Sequence, residues 1–182
     1  MPPYLAIPHY HLSKLPVTTK VALTGFALSL IAAVLFVGMA VYAERTGYET
    51  RRVQANFAGD ERVERETGEK LDKMYAEPSR RAIYDIVHPH SFMMPLIFFV
   101  LTHMMEMSYA PRSVKLGLYV GSFLSMMLTI FAPLLVWTKI SIAVIVSPAV
   151  TVLMLSFLIM SGVPVWQMWF CGDKPAKAGH AA

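Results

Sequence analysis

Cysteine is almost absent from this sequence, and charged residues are scarce. The single cysteine, Cys171, has no partner in the chain, so the chain alone cannot form a disulfide or an iron–sulfur cluster, or attach haem through Cys-x-x-Cys-His. Only 15% of the residues are charged and 55% are hydrophobic, which is too apolar for one soluble domain of 182 residues. The composition therefore indicates a protein whose solvent is the lipid bilayer.

The signatures of common enzymes are missing as well. The sequence contains no Gly-Lys-Ser/Thr phosphate loop and no His-Glu-x-x-His zinc motif, and no nucleophile lies near a base and an orienting residue. We therefore predict that the chain is not an enzyme on its own, but at most a non-catalytic or electron-transfer subunit.

Four apolar stretches are long enough to cross a membrane as α-helices, for which about 20 residues suffice. The fold class that they predict is all-α, an integral membrane four-helix bundle. The predicted spans are residues 21–43, 89–109, 116–137 and 140–163. Residues 44–88 form a loop with short helices, and residues 1–20 and 164–182 are terminal segments.

The positions of the basic residues predict the topology. Residues 44–85 hold nine basic and ten acidic side chains, so the long loop is nearly neutral. The excess positive charge precedes the first span, separates the second from the third, and follows the fourth: Lys14, Lys20, Arg112, Lys115, Lys174 and Lys177. These segments should face the cytoplasm. We expect a multi-pass protein of the bacterial cytoplasmic (inner) membrane, with both termini inside, the loop in the periplasm and no nucleic-acid partner.

The second span carries the ionisable groups that suggest chemistry. His88 and His90 lie at its start, and His103 and Glu106 lie near its other end. His90 and His103 are separated by about 20 Å along a helix, a spacing that suits one axial ligand for each of two b-type haems. The other three spans contain no histidine. A partner subunit, a two-fold homodimer or methionine would have to supply the remaining ligands.

The residues of the second span also allow two other functional hypotheses, copper binding and proton transport. Copper accepts imidazole and thioether ligands, and the candidates for a copper site are Asp85, His88, His90, Met93, Met94 and Met104. Alternatively, His103 and Glu106 share a proton path in a small transporter. The lack of charge on the other spans argues against transport. Glu106 is also within reach of Arg112 or Lys115 at the membrane surface, and a neutral His103 could simply donate to a nearby carbonyl.

The loop has the marks of a surface helix over residues 59–79. Asp60 is placed to cap it, and acid–base pairs recur at i,i+4: Glu61/Arg65, Glu66/Lys70 and Glu69/Lys73. A second short helix is expected after Ser79, ahead of a span that begins at Pro89. The loop is too small to bury its own core, so we expect it to lie on the bundle or on a neighbouring subunit.

Three short motifs carry a resemblance to a known family. They are Leu-Pro-Val-Thr-Thr-Lys at residues 15–20, the His-x-His of His88 and His90, and Trp-Gln-Met-Trp-Phe at residues 166–170. In these the sequence resembles four-helix bacterial inner-membrane proteins that occur alongside c-type cytochromes. The outer loop of that family often carries Cys-x-x-Cys-His, which this sequence lacks. The resemblance implies a redox setting and a periplasmic partner such as a c-type cytochrome. It extends to His88 and His90 but not to His103.

These observations predict a small membrane subunit of a larger redox complex, respiratory or photosynthetic, that contacts lipids and other membrane subunits. A visible absorption spectrum of the protein purified with its partners tests the cofactor. Reducible b-type bands that disappear in His90→Ala or His103→Ala would support haem. A colourless preparation that holds copper would favour the copper hypothesis, and a metal-free one would leave a scaffold.

Overall fold

The computed structural model describes residues 12–68, 70 and 75–171. Within these ranges every regular element is a helix, and four helices are long and apolar enough to cross a membrane. The predicted all-α membrane bundle is therefore confirmed. The Glu69/Lys73 pair and most of the two terminal segments lie outside the described residues.

The four spans follow one another along the chain as long helices. The first runs through α1 (Val17–Leu35), a π-helical segment (Phe36–Tyr42) and α2 (Ala43–Thr46). After two loop helices, α3 (Thr50–Ala58) and α4 (Asp60–Thr67), the second span is α5 (Arg80–Glu106) and the third is α6 (Arg112–Thr138). The fourth joins a 3₁₀ segment (Ile140–Ile145) to α7 (Val146–Phe170). A short 3₁₀ turn, Leu12–Lys14, precedes them all.

The spans extend beyond the apolar stretches that predicted them. The second begins at Arg80 and not at residue 89, so the separate helix expected after Ser79 is the first part of this span. The Ser79 hydroxyl caps it by accepting from the Ala82 N–H at 3.2 Å. Pro89 consequently lies inside the helix. Hydropathy marks only the hydrocarbon crossing, whereas a helix can continue into the headgroup region with polar side chains.

The fourth span lies at the centre of the bundle. α7 contacts α1, α5 and α6, and α5 also packs along α6. The main core, at the junction of α5, α6 and α7, includes Leu101, Ile130 and Phe157. Near the two ends of the first span, the Trp169 indole donates to the Thr24 hydroxyl at 2.9 Å, and the Tyr42 and Ser147 hydroxyls are 3.0 Å apart. α6 and the fourth span, joined by Lys139 alone, form a tight antiparallel hairpin.

The two loop helices lie across the turn that joins the third and fourth spans. Val53 of α3 packs into a cluster with residues of α6 and α7, and Val63 of α4 packs on Ile140. The Arg62 guanidinium donates to the carbonyls of Trp137 and Thr138, which close α6. The last carbonyls of a helix have no partner within it, so Arg62 satisfies groups that would otherwise need water. We call this end of the bundle the loop end.

Asp60 anchors the loop in a different way from the predicted cap. Its buried carboxylate accepts from the Tyr75 N–H at 2.7 Å, and its own N–H donates to the Tyr75 carbonyl at 2.9 Å. The helix ends at Thr67, before Lys70, and Glu66 instead pairs with Arg62 at 2.8 Å. The helix α3 was not predicted at all.

Two loop glycines provide a matched test of this docking. Both have positive φ, but a Cβ at Gly59 would lie 2.5 Å from backbone atoms of Glu77, whereas a Cβ at Gly68 would meet nothing within 4 Å. Positive-φ strain costs about 1–3 kcal/mol in either case, and only Gly59→Ala adds a backbone clash. We expect trypsin to cleave the loop at least about tenfold faster in Gly59→Ala than in Gly68→Ala, in nanodiscs. Equal rates would contradict the close approach at Gly59.

Candidate functional site

The three histidines of α5 lie on two sides of the helix. All three are exposed. In helical direction His88 and His103 differ by about 60°, whereas His90 and His103 differ by about 140°. Between His88 and His103 the same surface carries three exposed apolar side chains. We call these five residues the α5 stripe: His88, Phe92, Leu96, Phe99 and His103. The structure therefore places His88, and not His90, on the same face as His103.

Two of the imidazole rings are oriented by backbone carbonyls. The Nδ1 atom of His90 lies 2.6 Å from the Ile86 carbonyl oxygen, and that of His103 lies 2.8 Å from the Phe99 carbonyl oxygen. A carbonyl only accepts, so Nδ1 carries the proton in both rings and Nε2 keeps its lone pair in the neutral form. The His103 ring also lies 4.1 Å from the Phe99 ring. Each Nε2 atom can therefore accept a hydrogen bond or bind a metal.

The residues proposed for copper are divided among different surroundings. No three His, Cys, Asp or Glu side chains converge on a metal position in the described part of the chain, so Asp85, His88 and His90 form no such group. Met93 and Met94 line a cavity together with His90, whereas Met104 is buried in the bundle. This chain therefore presents no assembled set of those six ligands.

Glu106 contacts two residues of α6. Its carboxylate accepts from the Tyr119 hydroxyl at 3.0 Å and lies 4.0 Å from the Lys115 ammonium. Lys115 also donates to the Glu106 backbone carbonyl. Of the two interpretations of Glu106, the ion pair at the end of the span is the one that the structure contains. The Glu106 side chain is 68% exposed, so the ion pair contributes little to stability.

A cavity of about 390 Å³ opens between the first and second spans and is closed behind by α6 and α7. Its walls are mainly aliphatic, aromatic and thioether groups. Val37 and Met93, which line it, are about half exposed, so its mouth lies on the lipid-facing surface. The volume falls within the range of small-molecule sites. The sequence carries no signal for this cavity, because the residues that line it are individually ordinary components of apolar helices.

Besides Tyr42, two residues with polar side chains line the cavity. His90 lines it from α5 and Thr129 from α6. The contacts of Phe98 with Phe123 and of the Tyr119 hydroxyl with the Thr102 carbonyl set the antiparallel register of these helices. Extending that register places Thr129 within about one turn of the level of His90. The Thr129 hydroxyl oxygen is buried and has no hydrogen-bond partner among the described residues.

The π-helical segment of the first span forms part of the wall. The Gly38 carbonyl accepts from the Ala43 N–H, five residues on, and from the Tyr48 hydroxyl at 3.0 Å. Tyr48 has a φ of +60°, which is uncommon for a residue with a side chain, and its ring packs edge-on against Tyr42. Isolated π segments and strained residues often occur at functional sites. This local geometry supports the cavity as the candidate site.

No curated protein and no solved structure matches the chain. A family model described as Aq_1264_TM, a transmembrane helical domain, matches residues 47–177. The match takes in the loop and the second, third and fourth spans, and it begins after the first. It confirms a membrane helical family but carries no link to cytochromes, so that implication of the resemblance stays a prediction. The chain, a multi-pass membrane protein, belongs to the Aq_1264_TM family of transmembrane helical domains.

Proposed function

We propose that this chain is a small integral subunit of a larger redox complex in a bacterial cytoplasmic membrane, and that the α5 stripe contacts a neighbouring subunit. The observation that carries the proposal is the exposure of α5. Only 6% of the apolar stretch by which α5 would cross the membrane is buried, against 44% of the corresponding stretch of the fourth span. Yet α5 is the span that carries the histidines. A helix with this composition has more to gain from a protein neighbour than the other spans have.

The physical cost of exposing imidazole to lipid supports a covered stripe. Polar side chains within a membrane usually face protein or a polar cavity, because lipid offers them no hydrogen-bond partner. Phe92, Leu96 and Phe99 lie between the two histidines and are 57–67% exposed. They provide a broad surface for packing against another helix. One neighbouring subunit could therefore cover the apolar surface and pair with both imidazoles.

Haem b could bind at the α5 stripe only if another subunit or a second copy supplied one of its two axial ligands. His103 has a free Nε2 and an aromatic neighbour, but the other three spans contain no histidine for a second axial position. A second ligand would come from a partner, either another subunit or a second copy. Bound haem would supply one-electron transfer, and His103 would hold it from this side. The redox assignment rests on this geometry and on the resemblance to proteins that occur beside c-type cytochromes.

The docked loop suits the role of a periplasmic platform. Gln54 donates to the Ile140 carbonyl at 3.2 Å, and Arg62 binds the end of α6, so the loop helices are fastened to the bundle. Glu61 and Arg65 of α4 are exposed. A charged surface held in one orientation is suited to a transient partner, such as a c-type cytochrome, because charge guides the encounter.

Copper remains the second candidate because of one observation. His90, Met93, Met94 and Met154 line the same cavity, and imidazole with thioether ligands suits Cu(I). Copper that purifies with the protein in equal amount, and that is lost in Met154→Leu, would favour this candidate over haem.

Photocrosslinking in native membranes tests the subunit proposal. We replace Phe99 with the photoreactive p-benzoylphenylalanine and use the same replacement at Phe36 as the control, because Phe36 is 65% exposed on the first span. The Phe99 probe should form an adduct with a specific membrane protein, whereas the Phe36 probe should not. The complex isolated through a tag should show reducible haem bands.

Two results would contradict the proposal. Lipid adducts alone from the Phe99 probe would show that the stripe faces the bilayer. A colourless, monomeric chain from gently solubilised membranes would remove the redox complex itself.

A further inference from the structure

The outward side of α5 continues beyond the α5 stripe toward the loop end. Arg81 and Asp85 are exposed there and extend a spacing of four, three and four residues, which then repeats through the stripe. An 11-residue repeat has about 3.67 residues per turn, close to the α-helix, so these positions run almost parallel to the axis for about 33 Å. We call Arg81, Asp85 and the α5 stripe together the extended stripe.

The extended stripe lies on the side of α5 that faces away from the bundle. Its residues point within about 40° of one direction, whereas Ile83 and Leu101 point about 180° from Phe92. Both of these residues are fully buried in the main core. A second membrane helix could therefore lie along the extended stripe on the side opposite the core.

The two charges of the extended stripe are one helical turn apart. Neither the Arg81 nor the Asp85 side chain forms a hydrogen bond or an ion pair within the part of the chain that the structure describes. The base precedes the acid, which is the less favourable order for an i,i+4 pair along one helix. Each charge can instead pair with an opposite charge on a neighbouring helix. The neighbour that suits the extended stripe thus carries both an acid and a base at this depth.

A second copy of this chain is such a neighbour. Copies insert in the membrane in the same orientation, so a two-fold axis along the membrane normal brings each residue to the depth of its own counterpart. Arg81 of each copy then lies one turn, about 6 Å along the axis, from Asp85 of the other, a distance that its long side chain can span. The same axis packs Phe92, Leu96 and Phe99 against their counterparts, which provides close apolar contact in lipid.

We propose that the extended stripe is the interface of a two-fold homodimer, in which Arg81 of each copy pairs with Asp85 of the other. The inference rests on the proposed function, because it identifies the neighbouring subunit as a second copy. The axis also places His103 opposite His103 of the second copy. The second imidazole that the other spans of this chain lack would then come from the same residue.

Energy transfer between labelled full-length chains in vesicles of synthetic phosphatidylcholine tests the ion pairs. Cys171, the only cysteine, carries the donor or the acceptor dye, and dilution in lipid gives the dissociation constant. Arg81→Asp leaves two acids on the stripe and Asp85→Arg leaves two bases. Either variant alone should dissociate about 2- to 30-fold more readily, as expected for two exposed ion pairs. A mixture of the two variants restores both pairs and should dimerise like the wild type.

Arg80→Asp is the matched control for charge reversal. Arg80 is exposed beside Arg81, but it points about 100° away and donates to the Tyr84 hydroxyl at 2.9 Å. Its reversal changes the net charge as much as Arg81→Asp does and should leave energy transfer unchanged.

Cysteine crosslinking provides a second measurement that does not depend on the charges. In a Cys171→Ser background, Phe92→Cys should give a disulfide-linked dimer on oxidation in native membranes. Met93→Cys is the control, since Met93 is nearly as exposed as Phe92 but points about 100° off the extended stripe. It should give several-fold less dimer.

The outcomes separate this inference from the subunit proposal. Energy transfer in the mixture that is no greater than in either variant alone would overturn pairing across the axis, and so would equal losses in Arg80→Asp and Arg81→Asp. Equal crosslinking from the two cysteine positions would overturn the extended stripe as the dimer interface. Adducts of the Phe99 probe with a different protein alone would overturn the homodimer but support the subunit proposal. A homodimer without haem would support the inference while the redox complex fails.

Discussion

The packing of the other three spans against α7 is the constraint on which the rest of the structure depends. In a bilayer, helices gain little by hiding apolar surface from water, because lipid is equally apolar, so close van der Waals contact must hold them together. The buried positions of α7 include Ser147, Ala149, Ser156 and Ser161, whose small side chains let neighbouring backbones approach. The central position of α7 thus follows from residues that look unremarkable in a hydropathy profile.

The arrangement around α7 also explains the cavity. α1 and α5 pack on different parts of α7, and the space left between them is closed behind by α6. The π-helical segment widens the first span beside this space, and the Tyr48 hydroxyl supports one of its carbonyls. Filling the cavity with larger side chains would give tighter packing. A cavity that has a π-helical segment in its wall and an oriented imidazole in its lining is a candidate ligand site.

α5 differs from the other spans because it serves two environments. One side carries His90 toward the cavity, and another carries the α5 stripe outward. The two sides are separated by helical periodicity alone, since residues two positions apart point about 200° apart. The His-x-His pair therefore does not act as a single group. His88 belongs with His103 on a candidate protein contact, whereas His90 lines the cavity.

The loop shows where local patterns stop being informative. Charge spacing predicted a helix near residues 59–79, and the described helix, α4, does lie there but ends at Thr67. The role of Asp60 differed from a helix cap because Tyr75, distant in sequence, offers its backbone N–H. Arg62, which had no assigned role, binds the end of α6. Such contacts join residues far apart in the chain, and no spacing rule reports them.

The sequence by itself determined the membrane environment, the helical class, the four spans and the concentration of ionisable groups on the second. These follow from composition and length, because only a helix satisfies its own backbone while crossing lipid as a single segment. The tertiary structure alone decided which histidines share a face, that Glu106 pairs with Lys115 and Tyr119, and that His90 lines a cavity closed by α6 and α7. Those features depend on how helices pack around α7, and packing in lipid is governed by shape, which hydropathy does not encode.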